Sequence, residues 1–179
     1  VRDTMGRRWL WQNKKMFKEL ADYMVEYHKT GSKLFIQLAA GFGRSMAVAP
    51  WMVTLNNNKV LGALAKPVID VSYCCASASA TPNRWQEDML SRPMTVEEIH
   101  EMVDAFGKTA KLLREAGVDG VEIHAVHEGY LLDQFLQDGS NHRTDVYGGP
   151  IENRARLMLE LTDAVIPVWG SGRVGVHLA

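Results

Sequence analysis

The side chains best suited to chemistry follow or lie in short apolar runs that read as strands. Gln37 lies in the first run, His124 ends the second, and His127 and Tyr130 come within the next six residues. His177 lies in a third run. An imidazole exchanges a proton near neutral pH, and a phenol with an ordinary pKa near 10 can protonate a basic carbon. Because function collects at the carboxyl ends of the strands in α/β barrels, we expect these groups to converge on one rim.

Each of these residues also has a simpler interpretation. Gln37 in an apolar strand could hydrogen-bond a neighbouring loop, since a buried amide must be satisfied. Tyr130 could pack as an apolar residue where a helix starts. His124 and His127 could bind zinc, but no carboxylate or thiol follows at a convincing spacing for a third ligand. We therefore predict no metal site, while the metal-dependent interpretation stays open as an alternative.

The elements that must position these residues alternate between helix and strand. Apolar residues at helical spacing predict helices over 14–29, from the capping box at Thr95 to Glu115, and from Pro150 to Ile166, where Pro167 and Gly170 end the last one. A shorter helix is predicted over 130–136. Buried strands are predicted over 33–38, 119–125 and 173–178. Helices between strands predict an α/β fold with a parallel sheet.

Residues 39–94 interrupt this alternation. Glycines, prolines and three consecutive asparagines divide the segment into short apolar pieces. We predict a long excursion with a small hairpin and no helix. Long excursions in compact domains tend to be lids or binding loops, so we assign this one to the site.

The composition is that of an ordinary globular protein. Hydrophobic residues make up 46% of the chain, and 20 basic residues nearly balance 21 acidic ones, which argues against nucleic-acid and membrane-surface partners. The sequence has no run of 18 apolar residues. Its two cysteines, Cys74 and Cys75, are adjacent rather than spaced for a metal, which is in keeping with a cytoplasmic location. The length of 179 residues falls short of the roughly 250 in a closed eight-stranded barrel.

Four stretches of the sequence together resemble the old yellow enzyme family. They are Gln37-Leu-Ala-Ala-Gly-Phe-Gly-Arg44, Gly120-Val-Glu-Ile-His-Ala-Val-His-Glu-Gly-Tyr-Leu-Leu-Asp-Gln-Phe135, Asn141-His-Arg-Thr-Asp-Val-Tyr-Gly-Gly149 and Glu152-Asn-Arg-Ala-Arg156. The helix start Thr95-Val-Glu-Glu-Ile99 is similar too. The His-Glu-Gly-Tyr motif at residues 127–130 is most similar to that of the branch of 2-enoate reductases and 2,4-dienoyl-CoA reductases.

The resemblance implies an FMN-dependent oxidoreductase built on a (β/α)8 TIM barrel. NADH or NADPH would reduce the flavin, which would then reduce the C=C bond of a small α,β-unsaturated carbonyl compound or enoate. By position, Gln37 and His177 would contact the flavin. His124 and His127 would bind the substrate, and Tyr130 would donate a proton to it.

Two departures from the family pattern affect these assignments. The usual spacing is His-x-x-(His or Asn)-Gly-Tyr, and Glu128 makes it one residue longer here. Alignment from Tyr130 would therefore put Glu128, rather than His127, at the second substrate position. In addition, His177 stands where the family usually has an arginine, and an imidazole offers fewer donors.

The resemblance also implies that the chain is the central part, residues 1–179, of an FMN-binding barrel domain, with 39–94 as the excursion. It would hold about three of eight strands and would lack the first two and the last three. The enoate-reductase branch adds a C-terminal region with a 4Fe-4S cluster and FAD. We expect this piece to be inactive by itself, with a homo-oligomer as one expected state. A non-catalytic binding or scaffold remnant of the same fold is the other alternative.

Overall fold

The computed structural model describes residues 2–3 and 5–179, and it places a parallel sheet at the centre of the fold. Within these residues the sheet has three strands in the order β1-β2-β3. The strands are β1 (Phe35–Ala39), β2 (Gly120–Val126) and β3 (Val174–Leu178). The α/β class and the three predicted strands are confirmed.

The register of the sheet sets two rows of side chains level with one another. Gln37 lies opposite Glu122, which lies opposite Gly175. One step of the alternation further on, Ala39 lies opposite His124, which lies opposite His177. Because side chains alternate between the faces of a strand, both rows belong to one face.

The longer predicted helices form because each has a cap and an apolar stripe. Helix α1 (Lys14–His28) starts at Asn13, whose side chain accepts a hydrogen bond from the backbone N–H of Met16. Helix α5 (Val96–Glu115) has the expected capping box between Thr95 and Glu98. In the part of the chain that the structure describes, no helix could cross a membrane.

The prediction of no helix in the excursion was wrong. The segment contains α2 (Pro50–Asn57), α3 (Lys59–Ala65) and α4 (Val71–Cys74). Pro50 occupies the first turn of α2, where its missing N–H has no intrahelical acceptor to lose, and the side chains of Asn58 and Asp70 cap the next two helices. Residues taken for helix breakers are therefore helix starts. An isolated antiparallel bridge between Pro82 and Leu90 corresponds to the expected small hairpin.

Two further boundaries differ from the prediction. Tyr130 precedes helix α6 (Leu131–Leu136) instead of beginning it. The helix expected from Pro150 is divided into α7 (Ile151–Arg154) and α8 (Arg156–Trp169), and α8 continues through Pro167. A proline is tolerated there because it removes only one hydrogen bond, close to the helix end, and the N–H of Gly170 still reaches the carbonyl of Ile166 at 2.7 Å.

Helices cover one face of the sheet and leave the other open. Val121, Ile123 and Ala125 of β2 are fully buried in the core that includes α5 and α8. On the opposite face, Gln37 is exposed and Glu122 is half-buried. Parallel sheets in α/β proteins are normally covered on both faces, so the open face is unusual.

Asp119 ties the amino ends of β1 and β2 together. Its carboxylate accepts hydrogen bonds from His28 at 2.8 Å and from the backbone N–H of Leu34 at 3.0 Å, and it pairs with Lys33 at 3.1 Å. The hydrogen bond from His28 is the main reason that the pKa of Asp119 lies well below its usual range. These contacts fix the register at the end of the sheet away from the histidines.

The open face predicts how the 179-residue chain behaves when expressed by itself. Both outer strands have an edge without a partner among the described residues, and Phe35 and Leu178 are more than half exposed. We expect the chain to associate, or to melt over a broad range, because unpaired edges and apolar surface favour association. Size-exclusion chromatography and calorimetry measure this. A monomer with a sharp, cooperative transition would contradict the prediction.

Candidate active site

Four aromatic side chains meet at the carboxyl end of the sheet. The ring of His124 lies 5.3 Å from His127, 5.4 Å from Tyr130 and 5.7 Å from His177, measured between ring centroids. The rings of His124 and His177 are parallel within 3°. The structure thus brings together all four of these residues from three separate predicted elements, as parallel pairing of the strands requires.

Gln37 lies one row deeper, and a residue that sequence analysis overlooked connects it to the cluster. The overlooked residue is Glu122. The amide nitrogen of Gln37 donates to Glu122 Oε1 at 2.6 Å, and the same carboxylate oxygen lies 3.7 Å from His177 Nδ1. Glu122 precedes His124 by two residues on the same strand. The two-residue period of a strand could have placed it on the same face from the sequence alone.

The segment between His124 and Tyr130, which contains the extra residue, has two local distortions. The pairing between β2 and β3 shifts between His124 and Val126, so that β2 has one more residue than β3 at this point. Such a bulge bends the strand and redirects the side chains that follow. Glu128 then adopts a φ of 49°, the left-handed region that most residues avoid.

These distortions leave His127 and Glu128 in different surroundings. The His127 ring lies 5.9 Å from Tyr130 and 5.5 Å from His177. Glu128 is exposed, and its backbone carbonyl accepts a hydrogen bond from Arg84 of the excursion at 2.7 Å. The side chain of His127, and not that of Glu128, therefore lies among the rings of the aromatic cluster.

The cluster favours a neutral imidazole at its centre. Removal from water lowers the pKa of His124 below its ordinary value of 6.5, and the charges that His127 and His177 carry when protonated lower it further. A neutral imidazole keeps one N–H to donate and leaves one nitrogen to accept. His124 can therefore donate a hydrogen bond without bringing a full charge into the site.

The two cysteines add nothing to this chemistry at neutral pH. Burial raises the pKa of the Cys74 thiol to about 11 and that of Cys75 to about 12, so both are protonated at neutral pH. Within residues 2–3 and 5–179, no group of three or more His, Cys, Asp or Glu side chains could hold a metal ion. The arrangement of the four aromatic side chains is suited to hydrogen bonding and proton transfer.

Comparison with known proteins gives one consistent match. Residues 5–179 match the model of the NADH:flavin oxidoreductase / NADH oxidase family. Cinnamate reductase of Clostridium sporogenes is 42% identical over 138 residues, which are 77% of this chain and 18% of the reductase. Aldehyde reductase FrzD of Cladobotryum is 37% identical over 171 residues, which are 96% of this chain and 40% of that enzyme.

Solved structures show the same relationship. The old yellow enzyme homologue of Zymomonas mobilis superimposes with a TM-score of 0.69 at 27% identity, covering 98% of this chain and 47% of that one. Old yellow enzyme from Pichia also gives 0.69, at 32% identity, over 93% of this chain and 40% of that one. The chain spans less than half the length of each of these relatives, and its sheet is part of an α/β barrel.

The crowding of imidazoles makes a testable prediction about His124. In an NMR titration, we expect its imidazole to titrate below 6.5. The pKa should rise in a His177→Asn variant, because one of the positive charges that oppose its protonation is gone. His142→Asn changes an exposed histidine of a separate loop and should leave the His124 titration where it was. A His124 midpoint at or above 6.5, or one that does not move in His177→Asn, would show that the cluster is not electrostatically coupled.

Proposed function

Since the chain belongs to the NADH:flavin oxidoreductase / NADH oxidase family, the old yellow enzymes, we propose that it is the central part of an FMN-dependent ene-reductase. The reaction is reduction of the C=C bond of an α,β-unsaturated carbonyl compound or enoate at the expense of NADH or NADPH. The observation that carries this proposal is the convergence of His124, His127 and Tyr130 at the carboxyl end of the sheet.

The open face of the sheet suits FMN. Gln37 is exposed there, and a carboxylate can only accept, so the amide N–H bonded to Glu122 fixes which way the amide is turned. Its carbonyl oxygen and second N–H are left for the edge of the flavin ring. His177 would be the other contact. When bound, FMN carries a hydride from the nicotinamide to the β-carbon of the alkene.

We assign substrate binding to His124 and His127. Donors placed where negative charge develops on the substrate oxygen stabilise the enolate-like transition state. His124 can serve as a neutral donor, and His127 lies 5.3 Å from it, ring to ring. Glu128 was the other candidate, but a carboxylate would repel that developing charge. Its exposed position and its backbone bond to Arg84 support a structural role for Glu128 instead.

Tyr130 is the proposed proton donor to the α-carbon. Its ring lies nearly parallel to His124, with an angle of 30° between the ring planes. Phe42 packs edge-on against it at 4.9 Å between centroids. Contacts with these two rings restrict the position of the Tyr130 ring, which favours a fixed position for the phenol oxygen.

The complete activity requires more of a barrel than this chain supplies. The solved relatives are about twice as long, and the inner face of the sheet is open. We propose that further strands in the intact protein close the barrel and hold the FMN phosphate, and that this chain by itself is inactive. A 4Fe-4S cluster and FAD, as in the enoate-reductase branch, belong to the same proposal, as do a cytoplasmic location and a homo-oligomer.

The first prediction from this function concerns the proton donor. In the intact flavin-loaded protein, which supplies the rest of the barrel, Tyr130→Phe should lower the rate of alkene reduction by about 10²- to 10⁴-fold, the usual range for loss of a general acid. Reduction of the flavin by the nicotinamide should persist, because that step needs no phenol. Stopped-flow absorbance of the flavin separates the two half-reactions. Tyr23→Phe, in an exposed tyrosine of α1, is the control. Alkene reduction at the wild-type rate in Tyr130→Phe would refute the assignment.

The second prediction separates His127 from Glu128. His127→Ala should weaken binding of an enoate by about tenfold to a hundredfold, the value of one hydrogen bond to a charged group. Glu128→Gln keeps the size of the side chain and should change binding less than threefold. Titration of the flavin absorbance with the enoate measures both constants. The reverse order of effects would move the second substrate position to Glu128.

A further inference from the structure

We propose that Gln134 positions the proton donor Tyr130, an inference that rests on the proposed function. Gln134 lies in α6, four residues after Tyr130, and only 2% of its surface is exposed. Sequence analysis did not select Gln134 as a candidate, because nothing in its spacing links it to the other site residues. A buried amide must be satisfied, so its partners show what it holds in place.

All four hydrogen-bonding positions of the Gln134 side chain are occupied. Its amide nitrogen donates to the carbonyls of Phe42 at 2.8 Å and Gly129 at 2.6 Å. Its oxygen accepts from the backbone N–H of Arg44 at 3.1 Å and from the Ser77 hydroxyl at 2.7 Å. One side chain thus joins the turn after β1, Ser77 further along the excursion and the residue before Tyr130.

The segments that Gln134 joins are those that hold the phenol. Gly129 directly precedes Tyr130, and Phe42 carries the ring that packs edge-on against the phenol. The Ser45 hydroxyl donates to the same carbonyl of Gly129 at 2.7 Å. Displacement of Gln134 or of Ser45 would therefore move the phenol relative to Phe42 and His124.

The turn after β1 is shaped around the Gln134 amide. A Cβ atom at Gly43 would collide with the side-chain oxygen of Gln134, and Gly43 has a φ of +55°. A larger residue at position 43 would therefore be strained both by the Gln134 side chain and by the backbone conformation. Trp85 of the excursion holds the far side of the turn by donating to the carbonyl of Ser45 at 3.0 Å.

Gln134→Glu is the decisive variant, because it keeps the shape of the side chain and exchanges its two donors for an acceptor. The carboxylate would face the carbonyls of Phe42 and Gly129 and push them apart. A displacement near 1 Å can cost about 100-fold in rate. In the flavin-loaded protein, we expect alkene reduction to fall by about 10- to 100-fold while flavin reduction by the nicotinamide is unchanged. Gln86→Glu, elsewhere on the excursion, is the matched control for the added charge.

A double variant distinguishes positioning from a general structural role. If Gln134 acts through the phenol, Gln134→Glu should cost no further activity once Tyr130→Phe is present. Equal slowing of both half-reactions, or the full loss again in the Tyr130→Phe background, would overturn the proposal. If Tyr130→Phe alone leaves alkene reduction intact, then the proposed function fails first, and the inference with it.

Ser45→Ala keeps the proposal testable if Gln134→Glu does not fold. It removes the second hydrogen bond to the Gly129 carbonyl without burying a charge. We expect a loss of about three- to tenfold, confined to alkene reduction and absent in the Tyr130→Phe background. Wild-type alkene reduction in Ser45→Ala, or a loss shared by both half-reactions, would count against positioning through Gly129.

Discussion

The parallel pairing of β2 with its two neighbours is the constraint on which the site depends. In this register Ala39, His124 and His177 are level at one end of the sheet, with Gln37 and Glu122 one row deeper. A shift of one residue on any strand would move its side chains to the face that the helices cover. Asp119 fixes this register from the opposite end through Leu34 and His28. The strand pairing that holds the sheet together therefore also sets the geometry of the site.

The excursion holds the site together in a way that a mobile lid would not. Arg84 bonds the carbonyl of Glu128, Trp85 bonds that of Ser45, and Ser77 bonds Gln134. The first contact reaches the turn before Tyr130, the second reaches the turn after β1, and the third reaches α6. Backbone carbonyls and a buried amide thus connect the excursion to the segments next to the aromatic cluster, while the cluster itself carries the groups that would meet a substrate.

Much of this arrangement could be predicted from local sequence signals. The capping box at Thr95 and the apolar stripes of α1 and α5 depend on neighbours within a few residues, and the convergence of the histidines follows from parallel strands. The excursion could not be predicted in the same way, because Pro50 and Asn58 can start or break a helix and tertiary packing decides between them. Gln134 was missed for a related reason, because partners such as Phe42 and Ser77 are far away in sequence. Glu122 could have been found from the two-residue period of β2.

As the proposed proton donor, Tyr130 should deliver its proton to one face of the alkene α-carbon. Reduction of an α-substituted enoate in D₂O by the intact flavin-loaded protein and by its Tyr130→Phe variant tests this directly, because the phenolic hydrogen exchanges with solvent and the variant lacks the phenol. We expect the wild type to give one deuterium at the α-carbon in a single configuration, and the variant to react more slowly and to give both configurations, read by mass spectrometry and NMR. The same single configuration at the wild-type rate in Tyr130→Phe, or no deuterium at the α-carbon of the wild-type product, would contradict this role.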